Sequence, residues 1–273
     1  MDIFADILAF LQAKMETPTS YGWFHLLCWG VVIGLSVLLC TKYRKCSGEV
    51  IRKVVFYTAV LTAVLEAYKQ FVFSFHFGDN GVYFDFQWYS FPWQFCSSPM
   101  YVGLLTGIFR KGKVHDALFA YLATYSLFAG LCVMFYPNDV FISMIGINIQ
   151  TMVWHGGMVV IGVWLLATQY VKLEHKTILK AACVFTAVIL VAIIMNEVAW
   201  YTGITGGETF NMFYISRHYP GSLPVYSLVQ EVVPYPWCLA IYIAAFTLAA
   251  HIVLMIAMLC KRIALRRREK AIA

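Results

Sequence analysis

Cys96, in the run FPWQFC, and His155, in VWHGG, are the two side chains of this 273-residue chain best suited to making and breaking a covalent bond together. A thiolate is a strong nucleophile, and an imidazole can take its proton and later return it to a leaving group. Pro92 suits the first turn of a helix, which predicts Cys96 about one turn from the positive end, where a thiolate is favoured. Gly156 and Gly157 remove bulk beside His155, for close helix approach or for a substrate chain. Each residue also has a plain structural reading. Cys96 could be a small packing residue, and His155 could be bonded to the backbone of a neighbouring helix. Glu66 could orient His155 in the manner of a third triad member; Asn196 could do the same, or donate to an oxyanion. Lys69 lies three residues from Glu66 on one helical face and is expected to pair with it. Gln94, two residues before Cys96, is a candidate for contacting substrate.

These groups can meet only if helices bring them to one depth. Seven apolar stretches, about 21–41, 51–74, 92–109, 114–136, 147–170, 177–200 and 237–260, each approach the ~17–25 residues a helix needs to cross a bilayer. Of the twenty Lys and Arg, all but Lys14, Lys69 and Arg217 fall after the first, third, fifth and seventh stretches. An excess of basic residues marks the cytoplasmic side. The expectation is an all-α bundle of seven transmembrane helices, amino terminus outside and carboxyl terminus inside, because backbone in hydrocarbon must satisfy its own hydrogen bonds. With that topology His25, Glu66, Lys69, Gln94, Cys96, His155, Asn196 and Glu197 all lie in the outer half, and only His251 lies well below. Asn196 and Glu197 are about 100° apart on their helix, so one of them faces the site.

Residues 1–15 have apolar residues at helical spacing and read as a short amphipathic helix in the outer interface, which with the seven-helix bundle at 21–260 and a basic cytoplasmic tail at 261–273 makes a single membrane domain, 1–273. The long connections, 75–91 and 201–236, are expected outside, and the second is aromatic enough to fold back over the mouth of the bundle. No internal repeat is evident. A composition of 61% hydrophobic and 12% charged residues excludes a soluble domain, and the net charge of +6 belongs mostly to the inner loops and tail. A tail reading KRIALRRREK could also attract anionic lipid head groups; so short a juxtamembrane cluster is a poor nucleic-acid site. The eight cysteines show no disulfide framework and no metal-ligand spacing, so neither metal nor other cofactor is expected. A retinal-type pump is excluded by the lack of a lysine in the last stretch.

The motifs FPWQFC, WHGG, NEVAW, NMFYISRHYPGS and PYPW, in this order over roughly residues 60–245, resemble the YwaF-like family of integral membrane proteins. That family includes the eukaryotic transmembrane protein 164, a phospholipid acyltransferase using a cysteine and a histidine. The resemblance implies Cys96 and His155 in those two roles, with Asn211 and Tyr214 as an outer-loop signature in contact with substrate. The expected activity is acyl transfer between a phospholipid and a lysophospholipid, or lipid hydrolysis, at the outer leaflet of the cell membrane. The alternative is a transporter or small-molecule receptor whose outer cavity uses Glu66, His155 and Asn196.

Overall fold

Apolar side chains on every face of a long segment leave the backbone one solution in hydrocarbon, the helix, and 71% of the chain adopts it. The computed structural model describes residues 3–221, 223 and 225–272; Met1, Asp2, Ser222, Pro224 and Ala273 lie outside the described residues. In order, the helices are α1 (Ile3–Leu11), α2 (Trp23–Thr41), α3 (Gly48–Ser74), α4 (Ser98–Ile108), α5 (Lys113–Tyr121), α6 (Leu127–Phe135), α7 (Ile145–Ala167), α8 (Lys176–Thr202), α9 (Tyr226–Val232) and α10 (Tyr235–Ile272). A π-helical turn, Leu122–Ser126, joins α5 to α6 into one rod, and a hairpin, β1 (Phe75–Gly78) with β2 (Gly81–Phe84), follows α3.

Among the described residues, five rods are long and apolar enough to cross a membrane: Trp23–Thr41, Lys113–Phe135, Ile145–Ala167, Lys176–Thr202 and Tyr235–Arg267. α3 has the length, at 27 residues, but carries Glu49, Arg52, Lys53, Glu66 and Lys69. α4 corrects the expectation for the third stretch. It begins at Ser98, not near Pro92, and its 11 residues span only ~16 Å at ~1.5 Å per residue. Pro99, rather than Pro92, occupies the helix's first turn. α10 continues from the last apolar stretch through the basic tail.

α7 is buried on nearly all sides, packed by α2, α3, α6 and the π turn, whereas α2 and α10 present mostly exposed apolar faces. The basic connections gather at one end of the bundle. There Lys180 donates to Asp116 at 3.0 Å, Arg52 to the Thr106 carbonyl at 3.4 Å, and the His115 ring meets the Tyr170 hydroxyl at 3.0 Å. At the opposite end, Gln12, just past α1, donates to the carbonyls of Val72 and Phe75, and Tyr21 to that of Phe135. α1 thus packs on the end of α3 and the hairpin, its Phe4 ring 5.3 Å from Phe75, while Ile3 and Phe10 stay exposed.

Glycine sets how closely α6 and α7 approach. A Cβ on Gly162 would lie 2.5 Å from Leu127 Cβ, whereas one on Gly157 meets nothing nearer than 3.9 Å. Gly162→Ala is therefore expected to cost roughly 1–3 kcal/mol through overpacking. Gly157→Ala should be neutral or gain up to about 1 kcal/mol of helix propensity. Melting of the two variants in detergent checks this; equal midpoints would refute the close approach.

Candidate functional site

Seven residues of unwound chain, 91–97, carry Cys96 into the bundle just ahead of α4. Irregular backbone among apolar helices survives only where protein satisfies it, and here four contacts from outside hold the segment and Ser90 just before it. Tyr101 donates to the Pro92 carbonyl at 2.8 Å, Gln70 to Ser90 at 2.8 Å, and Trp154 of α7 to the Cys96 carbonyl itself at 2.8 Å. The fourth contact runs from the loop after α8, the one expected outside: the Phe213 amide donates to Gln94 Oε1 at 2.8 Å, while Gln94 Nε2 donates to the Asn211 carbonyl at 3.1 Å. Trp93 also reaches out to the Val188 carbonyl of α8 at 3.2 Å. Cys96 stands next to Ser97, the N-cap of α4, so the thiol is still at the positive end of a helix, closer than Pro92 had suggested.

His155 follows Trp154, so the residue that grips the Cys96 backbone is the chain neighbour of the candidate base. His155 Nδ1 lies 2.8 Å from the Thr151 carbonyl, one turn back on α7. A carbonyl only accepts, so Nδ1 carries the proton and Nε2 is left with a lone pair. Nε2 is buried and has no hydrogen-bond partner among the described residues. The orienting group is thus a carbonyl of its own helix, neither Glu66, nor Asn196, nor a neighbouring helix.

Glu66 and Asn196 are both committed elsewhere. The Glu66 carboxylate accepts from Lys69 at 2.7 Å, as expected, and from Gln70 at 2.7 Å. The pair remains within electrostatic range of the Cys96 thiol, and Lys69 also acts on the His155 ring. Asn196 faces inward and takes both backbone groups of one residue: Nδ2 donates to the Met212 carbonyl at 3.0 Å, and Oδ1 accepts from its amide at 2.7 Å. Glu197 turns outward to Arg217, at 2.7 Å, and His218, at 3.1 Å.

The outer loop folds into the bundle as its aromatic content suggests. Phe210, Met212, Phe213 and Ile215 are buried, and Phe213 and Tyr214 are both left-handed, at φ 59° and 57°. Two bulky residues in that region cost about 1–3 kcal/mol each. Asn196 and Gln94 hold them from below, while Asn211 Oδ1 accepts from the Ser216 amide at 2.9 Å. Gln94 and Asn211, expected at substrate, therefore have their amides engaged in clasping this turn. Tyr214 comes within electrostatic range of Cys96.

Three residues near the site escaped the sequence reading. Trp154 was hidden among other membrane tryptophans. Tyr121 bonds Ser98, two residues past Cys96, and Tyr242 of α10 is buried, its hydroxyl without a partner among the described residues and within electrostatic range of the thiol. Aromatic residues on apolar helices carry no local signal that separates these from packing. Gly156 approaches α2, where an added Cβ would meet Val32 at 2.6 Å; Gly157 lines a cavity of about 40 Å³ between α3, α4 and α7 with Pro99 and Trp154. No group of three or more metal-binding side chains occurs among the described residues, and no hydrogen bond joins the Cys96 thiol to His155 there.

No curated protein and no solved structure matches the chain. The model of the TMEM164 family matches residues 17–259, a span that takes in every element from the start of α2 to the apolar part of α10 and all the residues just described. With its membrane-length apolar helices, this integral membrane protein belongs to the TMEM164 family.

Proposed function

We propose that the protein is a lipid acyltransferase that works through an acyl-cysteine at Cys96, with His155 as its general base and acid. One observation carries the reading: His155 holds a buried, unprotonated Nε2 with no partner, on the residue next to the tryptophan that grips Cys96. An unsatisfied buried acceptor costs roughly 1–3 kcal/mol, and an incoming proton would relieve it. Intramembrane ionisable groups are functional by default.

In the first half-reaction Sγ attacks the acyl carbonyl carbon of a phospholipid ester as its proton passes to Nε2. The tetrahedral intermediate collapses, the ester C–O bond breaks, and the leaving alkoxide takes the proton from His155. That leaves a thioester and a lysophospholipid. In the second half a lysolipid hydroxyl gives its proton to Nε2 and attacks the thioester. The C–S bond breaks and Sγ recovers the proton. Water in place of the hydroxyl would make the outcome hydrolysis. The unpartnered Tyr242 hydroxyl is suited to donating to the developing oxyanion. No metal or other cofactor enters these steps.

The ends of the bundle suggest the membrane placement. We read seven crossings, with α3 and the unwound segment plus α4 completing the five longer rods, and the basic end in the cytoplasm of the cell membrane. Cys96 then opens toward the outer leaflet. The order of the motifs supports reading the chain as related to the YwaF-like family, which includes transmembrane protein 164.

Intact mass of the purified protein after incubation with phospholipid tests the proposal. A fatty-acyl mass removed by neutral hydroxylamine is expected on wild type. His155→Gln should form it on the order of 10²–10⁴-fold more slowly. No adduct on wild type would overturn acyl transfer and favour a binding or transport role. That alternative would need Glu66 free, whereas its carboxylate is held by Lys69 and Gln70.

A further inference from the structure

A second site lies at the other end of the bundle. A cleft of about 600 Å³ opens between α6, α7 and α10, within the ~300–1,000 Å³ range of ligand pockets. Its walls are apolar, with Leu131, Leu166, Val253 and Ala257 among them. Leu166 is eleven residues past His155 on α7, ~16 Å further along the axis. Polarity is confined to one end. Arg44, from the turn after α2, Gln169, just past the end of α7, and Lys261, of α10, supply it. Among the described residues no carboxylate lines the cleft, and neither cation is in an ion pair. Uncompensated cations at the rim of an apolar trench match one kind of molecule, an amphiphile with an anionic head and hydrocarbon tail. A protein helix would fill the trench without answering the charge.

We infer that this cleft is a binding site for one anionic glycerophospholipid, its phosphate between Arg44 and Lys261 and an acyl chain against α6, α7 and α10. The inference is independent of acyl transfer at Cys96, since none of the residues that would react takes part. Its role is to hold a lipid of the leaflet at the basic end of the bundle.

Native mass spectrometry of the full chain in detergent decides it, with phosphatidylglycerol and phosphatidylcholine of identical acyl chains as probes. Wild type is expected to retain phosphatidylglycerol about tenfold or more over phosphatidylcholine, given two cations at the membrane surface. Arg44→Gln with Lys261→Gln should bring that ratio near one, and both sites are exposed, so folding is not at stake. Arg266→Gln with Arg267→Gln, outside the cleft, should leave it unchanged. Ala257→Trp should reduce retention of both lipids by filling the trench. Equal retention by wild type, an unchanged ratio in the cleft pair, or an equal loss in the tail pair would each overturn the site.

Discussion

Cys96→Ala is expected to lower acyl turnover on the order of 10⁴-fold or more while leaving the protein folded, as removal of a catalytic nucleophile does elsewhere. The separation of the two effects follows from how the site is held. Trp154 bonds the carbonyl of Cys96, not its sulfur, and Gln94 and Tyr101 fix the flanking backbone. Alanine keeps every one of those bonds. The lost contact of one sulfur should cost no more than about 1 kcal/mol of packing. Lipid turnover and detergent melting, measured on the same preparation, read the two quantities. Full activity in the alanine variant would return Cys96 to a packing role and sink the mechanism. A parallel fall in melting temperature would show that the thiol itself supports the unwound segment.

Asn196→Leu should have the largest effect on stability. The side chain is 2% exposed and satisfies both backbone groups of Met212 at once. Leucine fills similar space but leaves a buried N–H and a buried C=O unpaired, at about 1–3 kcal/mol each. The next two residues are held left-handed, so the turn also has strain to release once the clasp opens. A loss of roughly 2–5 kcal/mol is expected, with faster proteolysis in 203–225 than in any connection at the basic end. Asn196→Asp retains the acceptor for the Met212 amide and should lose less. An unchanged midpoint for Asn196→Leu would mean that the outer loop does not depend on α8.

Both results bear on how far local sequence goes. Apolar length placed α2, the α5–α6 rod, α7, α8 and the start of α10 within a few residues of their ends, because the demand for a hydrogen-bonded backbone in hydrocarbon acts on each segment alone. The Glu66–Lys69 pair was legible for the same reason, being three apart on one helix. The third apolar stretch misled. FPWQFC is as apolar and aromatic as a helix start, yet two of its carbonyls are taken by Tyr101 and Trp154 and its Gln94 side chain is bonded to the loop after α8, at separations of up to 119 residues. The hairpin after α3 was equally hidden within an aromatic connection.

The site divides in the same way. Sequence by itself determined that this is a membrane protein, that all but three of its Lys and Arg fall after alternate apolar stretches, and that Cys96, His155, Glu66, Gln94 and Asn196 are polar groups needing a reason to be buried. Only the tertiary structure decided which of their atoms are already engaged. Glu66 serves Lys69 and Gln70, Asn196 serves Met212, Gln94 serves the loop, and His155 alone keeps a bare nitrogen. Hydropathy and helical spacing are properties of neighbours in sequence, whereas a hydrogen bond consumes a partner brought near by packing. Which polar group remains free for chemistry is therefore a property of the packed bundle.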